Sequence, residues 1–275
     1  MSTEAALTLK HRIAMSFSKA AHQYDDYAGL QREVADALLE RLPADNTLNR
    51  LADVGCGTGH VTRGLRKRYP NARITGIDPA IGMLEEASRR HGNERLCWQS
   101  GEAEALPFEN QCLDLVVSSL AIQWCATPKG FLKEVERVLR PGGWLAFTTL
   151  LDGTLGELKA AFNTLECRPR GNVFLDFETF QEHLNLSSLT THSLSVSDHQ
   201  AFHGNAAESL GALKAVGAAT LDRPSRGGLM SRRHWKHVMQ ALERFRTSKG
   251  LPTTYRVAFV VMQKPDVFSH DGSNP

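Results

Sequence analysis

The chain has 275 residues, 41% hydrophobic and 23% charged, with 32 Lys and Arg against 30 Asp and Glu for a formal net charge of +2. That composition supports a large core formed as one domain with an insertion, and the lack of any run of about 18 apolar residues speaks against a membrane span. Cys56, Cys97, Cys112, Cys125 and Cys167 are odd in number and form no C-x-x-C, so neither a disulfide framework nor a zinc site is indicated, and no metal is expected.

Met1 to Lys10 lacks the basic start and apolar middle of a secretory signal, and a cytoplasmic location is the default expectation. The first clear strand is Leu51 to Val54, followed by the turn Gly55-Cys-Gly-Thr-Gly59, a helix from His60 to Tyr69 and a second strand, Arg73 to Asp78. Helical patterns at Met83 to His91 and Lys129 to Leu139 alternate with strand-like runs at Arg95 to Gln99, Leu113 to Ser118 and Gly143 to Leu150. Pro141-Gly-Gly143 is expected to end the helix before the next strand begins. An amphipathic helix from Leu155 to Leu165, a strand from Leu189 to Val196, a helix from Ala206 to Ala218 and a final strand from Thr254 to Gln263 complete the pass. Strands alternating with helices imply a parallel sheet covered on both faces, with ligand across the carboxyl ends of the strands.

The strand, glycine turn, helix, strand, acid unit carries the chemistry. Three glycines at alternate positions let a sharply turning backbone pass against a ligand, and Asp78 at the end of the second strand can accept hydrogen bonds from both hydroxyls of a ribose. A dinucleotide site uses G-x-G-x-x-G with a helix N-terminus open to a pyrophosphate, whereas this chain has G-x-G-x-G preceded by Asp53. The compact spacing suits a cofactor without phosphate, and S-adenosylmethionine fits best; a dinucleotide and a coincidental tight turn are the alternatives. The candidate cofactor residues are Asp53, Gly55, Cys56, Gly57, Gly59, Asp78, Pro79 and Met83, with Glu102 accepting from the adenine amino group and the Ala103 backbone against the ring. Cys56 reads as a small residue in the turn, Met83 as adenine contact or core, and the Glu102 loop otherwise as a solvated connection.

These residues resemble the class I S-adenosylmethionine-dependent methyltransferases over roughly residues 45 to 150. A wider set is similar to the malonyl-acyl carrier protein O-methyltransferase family of biotin synthesis: Ser16-Phe-Ser-Lys-Ala-Ala-His-Gln-Tyr24, Ala28-Gly-Leu-Gln31, Leu120-Ala-Ile-Gln-Trp-Cys125, Phe147-Thr-Thr-Leu150, Leu213-Lys-Ala-Val-Gly-Ala218 and Leu251-Pro-Thr-Thr-Tyr255. The resemblance implies an α/β, Rossmann-like fold: a mostly parallel seven-stranded sheet with helices on both faces. It divides into an N-terminal helical cap (1–44), a cofactor-binding core (45–200), a basic helical insertion (201–250), a last core strand (251–264) and a flexible tail (265–275). The implied reaction is methyl transfer to the free carboxylate of a malonyl thioester, carried by acyl carrier protein or coenzyme A.

An ionised carboxylate needs no general base, so positioning residues are the ones to seek. The resemblance points to Tyr24 and Gln31 on the cap, facing cofactor or acceptor, though Phe17, Tyr24 and Tyr27 could equally pack that helix onto the core. Gln123 and Trp124 follow the fourth strand, where the acceptor pocket is expected, with Trp124 also readable as its wall. Arg168 is either a bidentate clamp on the malonyl carboxylate or a surface arginine. The family often places Arg after the Asn that matches Asn172, whereas this chain has Val173.

From Arg223 to Lys249 the basic residues include Arg223, Arg226, Arg232, Arg233 and Lys236, and Glu243 is the one acid. Such a segment suits an acidic carrier protein steered by long-range attraction, or a solvated helix face; no recognised nucleic-acid module accompanies it. Two other functions stay open on the sequence: a methyltransferase for another small acceptor, such as a quinone precursor or a dicarboxylic acid, and a non-enzymatic cofactor-binding protein. Oligomeric state is not legible.

Overall fold

The computed structural model of the chain describes residues 3–45, 47–125, 127–164, 174–215 and 232–266. Two helices, α1 (Thr3–Tyr27) and α2 (Gly29–Glu40), precede the sheet and break at Ala28. The alternating region then runs β1 (Arg50–Val54), α3 (His60–Arg68), β2 (Arg73–Asp78), α4 (Ile81–His91), β3 (Leu96–Ser100), β4 (Leu113–Ser119), α5 (Pro128–Val138) and β5 (Leu139–Leu150). Beyond it lie α6 (Gly156–Asn163), α7 (Phe177–Asn185), β6 (Thr190–His203), α8 (Ala206–Ala215), α9 (Arg232–Glu243) and β7 (Leu251–Gln263).

The strands form one seven-stranded sheet in the order β3-β2-β1-β4-β5-β7-β6. All pairings from β3 to β5 are parallel, while β7 runs antiparallel to both β5 and β6. The order reverses direction at β1 and β4, which opens a crevice at their carboxyl ends. β4 sits at the centre, and its residues Leu113 to Ser118 are all buried, as a strand covered on both faces requires.

Each face of the sheet has its own core. Phe131, Leu132, Val135 and Val138 of α5 and Phe180 and Leu184 of α7 cover one side together with Phe147. Leu30, Val34 and Leu38 of α2 and Val61 and Leu65 of α3 cover the other. Local signals start these helices: the Thr127 side chain accepts from Gly130 N–H with Pro128 at the first turn of α5, and Asp176 caps α7 through Thr179 N–H at 2.7 Å. A separate cluster of Leu158, Phe162, Leu213, Val238 and Leu242 joins α6, α8 and α9 above Leu251.

The expectation for Pro141-Gly-Gly143 needs correction. β5 begins at Leu139, directly after α5, and the Pro-Gly-Gly residues lie within it as a bulge: Leu113 pairs with Leu139, then Leu115 with Trp144. Gly142 takes φ of 73°, which lets the strand bow out and rejoin the ladder. β6 and β7 also run longer than their apolar patterns, to His203 and from Leu251, because each satisfies the other's backbone along the whole edge pair. α7 lies outside the expected elements, although Asp176 offers its N-cap. No helix among the described residues is long and apolar enough to cross a membrane.

Candidate cofactor and acceptor cleft

β1 ends at Val54 and the chain turns beneath the end of β2. The N–H groups of Gly55 and Cys56 both donate to Ile77 O, at 2.7 and 3.0 Å, and Gly59 N–H donates to Cys56 O at 2.9 Å. Gly55, Gly57 and Gly59 have φ of 73°, 52° and 89°, a region that disfavours any side chain. At Gly55 a Cβ would also stand 2.2 Å from Ala121 Cβ, so the turn can approach the end of β4 only as glycine.

Asp78, at the end of β2, closes this turn. Its carboxylate accepts from Gly57 N–H at 2.9 Å and from Ala80 N–H at 2.8 Å, and it lines the cleft. Burial raises its carboxyl to about 6, although the Ala80 and Gly57 bonds pull the other way. Asp53 lies beneath, 1% exposed, with Oδ2 accepting from the Thr62 hydroxyl at 2.5 Å and Oδ1 without a hydrogen-bond partner. Burial raises this carboxyl to about 7, the bonds from Thr62 lower it and the Asp78 charge adds to the rise.

The cleft leaves about 120 Å³ for the centres of water-sized molecules, and about 840 Å³ of empty space once its open mouth is counted. One wall is the glycine turn with Asp78, Pro79 and Met83; another is Gly101, Glu102 and Ala103 after β3; a third is Ser119 to Ala121 with Trp124 and Cys125 after β4. Leu120 holds φ of 49°, a costly conformation for a non-glycine residue, and its N–H donates to Thr148 Oγ1 at 3.0 Å. The fourth wall is α1, which contributes Lys10, Ile13, Ala14, Phe17 and Tyr24. Phe17 meets Tyr24 and Trp124 edge to face, at 6.4 and 5.6 Å between centroids. Burial, then the charges of Asp78 and Asp25, raise the Tyr24 phenol, so it stays neutral. Lys10 pairs with Glu104 and, at 3.5 Å, with Glu102, fastening α1 across the mouth. Burial opposes its charge, but the Glu104 hydrogen bond and the two carboxylates raise its pKa overall.

Of the residues singled out from sequence, Tyr24, Gly55, Gly57, Asp78, Pro79, Met83, Glu102, Ala103 and Trp124 line this cleft. Met83 lines the cleft and also packs with Ala21 and Ala80 in a small core beneath α1. Asp53, Cys56, Gly59, Gln31 and Gln123 are not on the lining. The Cys56 thiol packs against Gly76, where an added Cβ would be 3.0 Å from it, and burial pushes its pKa well up. Gln123 donates to Leu120 O at 2.6 Å and, like Gln31, keeps a buried Oε1 without a partner. Arg168, with Arg223 and Arg226, lies outside the described residues, whereas Arg232, Arg233 and Lys236 are exposed on α9. The sequence reading missed Lys10, Ile13 and Ala14; the spacing of Ala14, Phe17 and Ala21 along one helix face was the available signal.

Fold and cleft define a class I S-adenosylmethionine-dependent methyltransferase. Residues 52–147 match the family model described as a methyltransferase domain. The chain is 36% identical to the malonyl-[acyl-carrier protein] O-methyltransferase of Hahella chejuensis, over 93% of this chain and 91% of that one. It belongs to the malonyl-[acyl-carrier protein] O-methyltransferase family. It is also 36% identical to the biotin biosynthesis bifunctional protein BioHC of Cellvibrio japonicus, covering 96% of this chain but about half, 52%, of that protein. Among solved structures, the YcgJ protein of Bacillus subtilis shares the fold with a TM-score of 0.59 at 17% identity, over 85% of this chain and 99% of that one. A geranyl diphosphate methyltransferase in complex with SAM shares it at 0.54 and 13%, over 85% of each chain.

Proposed function

We propose that the protein methylates the free carboxylate of a malonyl thioester, on acyl carrier protein or coenzyme A, giving the methyl ester that starts pimeloyl synthesis for biotin. The carrying observation is the ionisation pattern of the cleft. Among the described lining residues, Lys10 is held cationic, Tyr24 neutral, and Cys125 is pushed up to about 12 by burial and the Glu104 charge. Asp78 is engaged by two backbone N–H groups, and Glu102 by Lys10. The described lining holds no histidine, its two carboxylates are already engaged, and a carboxylate acceptor has no proton to give. The names of the relatives point to the same acceptor.

The residues fit the cofactor. The unpartnered Asp53 Oδ1 is an acceptor suited to an ammonium group, Gly55 and Gly57 admit close backbone approach, and Asp78 offers a carboxylate for the ribose hydroxyls. Glu102 and the Ala103 backbone would receive the adenine edge, with Pro79 and Met83 against the ring. Bound S-adenosylmethionine supplies a methyl group activated by its sulfonium and leaves as S-adenosylhomocysteine. Phe17, Tyr24 and Trp124 screen the cleft from water and narrow the acceptor's approach, so that alignment supplies most of the catalysis. Tyr24, Gln123 and Arg168 are the residues assigned to position the acceptor.

Esterification cancels the terminal charge, and the acyl chain can then enter apolar channels without the several kcal/mol that burying a carboxylate costs. Arg223, Arg226, Arg232, Arg233 and Lys236 are assigned to the carrier protein. The test is methyl-group counting by mass spectrometry, with malonyl-carrier protein and malonyl-coenzyme A offered beside a quinone precursor and a free dicarboxylic acid. One added methyl on a malonyl thioester is the expected result, and none would sink the proposal.

A further inference from the structure

Asp25 follows Tyr24 in the last turn of α1, and no part of the mechanism above uses it. It sits where three elements meet. Its Oδ1 accepts from the Thr58 hydroxyl at 2.7 Å, its Oδ2 from the Arg90 guanidinium of α4, and its backbone carbonyl from the Arg32 guanidinium of α2. Thr58 is 4% exposed and stands between Gly57 and Gly59, so this bond ties α1 to the glycine turn itself.

Arg90 is anchored in turn by Glu86, a 2% exposed carboxylate that also pairs with Arg89 and lies 3.3 Å from His22 Nδ1. The Arg89 hydrogen bond, with Arg90, holds Glu86 down at about 2. The apolar attachment of α1 is thin by comparison: Ala21 is its one fully buried member of the cluster with Ala80 and Met83. Hydrogen bonds to charged groups are the stronger and more directional kind, so these polar ties set where the end of α1 lies.

We propose that Asp25 is a positioning residue for methyl transfer: by fastening α1 to Thr58 and Arg90 it fixes Tyr24 against the glycine turn. The proposal rests on the reading of Tyr24 as a residue that orients the reactants. The physical reason is leverage. Tyr24 adjoins Asp25 in the chain, the turn has glycines where other loops have side chains, and a displacement of about 1 Å at a reacting centre can lower a rate up to about a hundredfold.

The experiment is a mutant cycle in the full-length protein with Asp25→Ala, Tyr24→Phe and the double variant. Initial rates with S-adenosylmethionine and malonyl-coenzyme A separate kcat from KM, and hydrogen exchange of the α1 amides is read without acceptor. Asp25→Ala should lower kcat about ten- to a hundredfold and speed exchange across α1, while Asp25→Asn, which keeps an oxygen for Thr58, recovers most of both. In the Tyr24→Phe background the same change should cost less than about twofold more, because its effect runs through the phenol. Full multiplication of the two effects, or unchanged α1 exchange in Asp25→Ala, would overturn the proposal. Tyr24→Phe with unchanged kcat would instead remove the reading of Tyr24, and the proposal with it. Should Asp25→Ala not fold, Thr58→Val removes the same bond from the other partner and must give the same pattern.

Discussion

Replacing Asp78 by Asn tests the cofactor site through two opposed effects of one buried charge. The carboxyl rises from 3.8 to about 6 on folding, so its ionised form costs the native state about 3 kcal/mol. Because the folded value is raised, the stabilising contribution is complete below pH 3.8 and is lost as pH climbs through 6. Asn carries no such cost, but its amide nitrogen must face either Gly57 N–H or Ala80 N–H, leaving a donor unpaired at about 1–3 kcal/mol. The variant should therefore nearly match the parent in stability at pH 8 and fall behind it by about 2 kcal/mol on going to pH 4. Cofactor affinity should behave differently: two hydrogen bonds from ribose hydroxyls to a charged group are worth at least about 3 kcal/mol, so Kd should rise a hundredfold or more. Calorimetric titration with S-adenosylmethionine at pH 8, with urea unfolding at pH 4 and 8, reads both. An unchanged Kd would refute the ribose assignment, and a stability difference independent of pH would refute the buried-charge argument. In the parent, the same protonation should weaken binding about tenfold from pH 7 to pH 5.

Three further outcomes are expected. Gly55→Ala combines a φ of 73° with a Cβ 2.2 Å from Ala121 Cβ, and should lose about 1–3 kcal/mol in thermal unfolding together with most cofactor binding; a stable, binding variant would contradict the close approach. Phe147→Ala removes a 1% exposed ring lying 5.9 Å from Phe131 and 6.2 Å from Phe180, at a cost of about 3–5 kcal/mol in urea titration. Charge reversal at Arg232 and Arg233, both exposed on α9, should raise KM for malonyl-carrier protein more than for malonyl-coenzyme A, and added salt should shrink the difference. Equal effects on the two substrates would count against docking there.

Which parts of this protein were legible in its sequence follows from the range of the forces involved. Glycine conformations, helix starts and strand patterning are properties of short windows, so the turn at Gly55 to Gly59, Asp78 after β2 and the central strand β4 could be read directly. The same locality explains the errors. Pro141-Gly-Gly143 has the composition of a stop, yet β4 holds it inside a strand as a bulge, and the length of β6 and β7 depends on their pairing rather than on either pattern. Tertiary structure alone decided how the cleft closes. Lys10 meets Glu102 and Glu104 across more than ninety positions of chain, a separation of 94 for Glu104, and Asp25 meets Thr58 across 33. Burial is likewise a property of the assembled fold. It is what sets Asp53 to about 7 and Asp78 to about 6, while the residues themselves are two ordinary carboxylates in the chain.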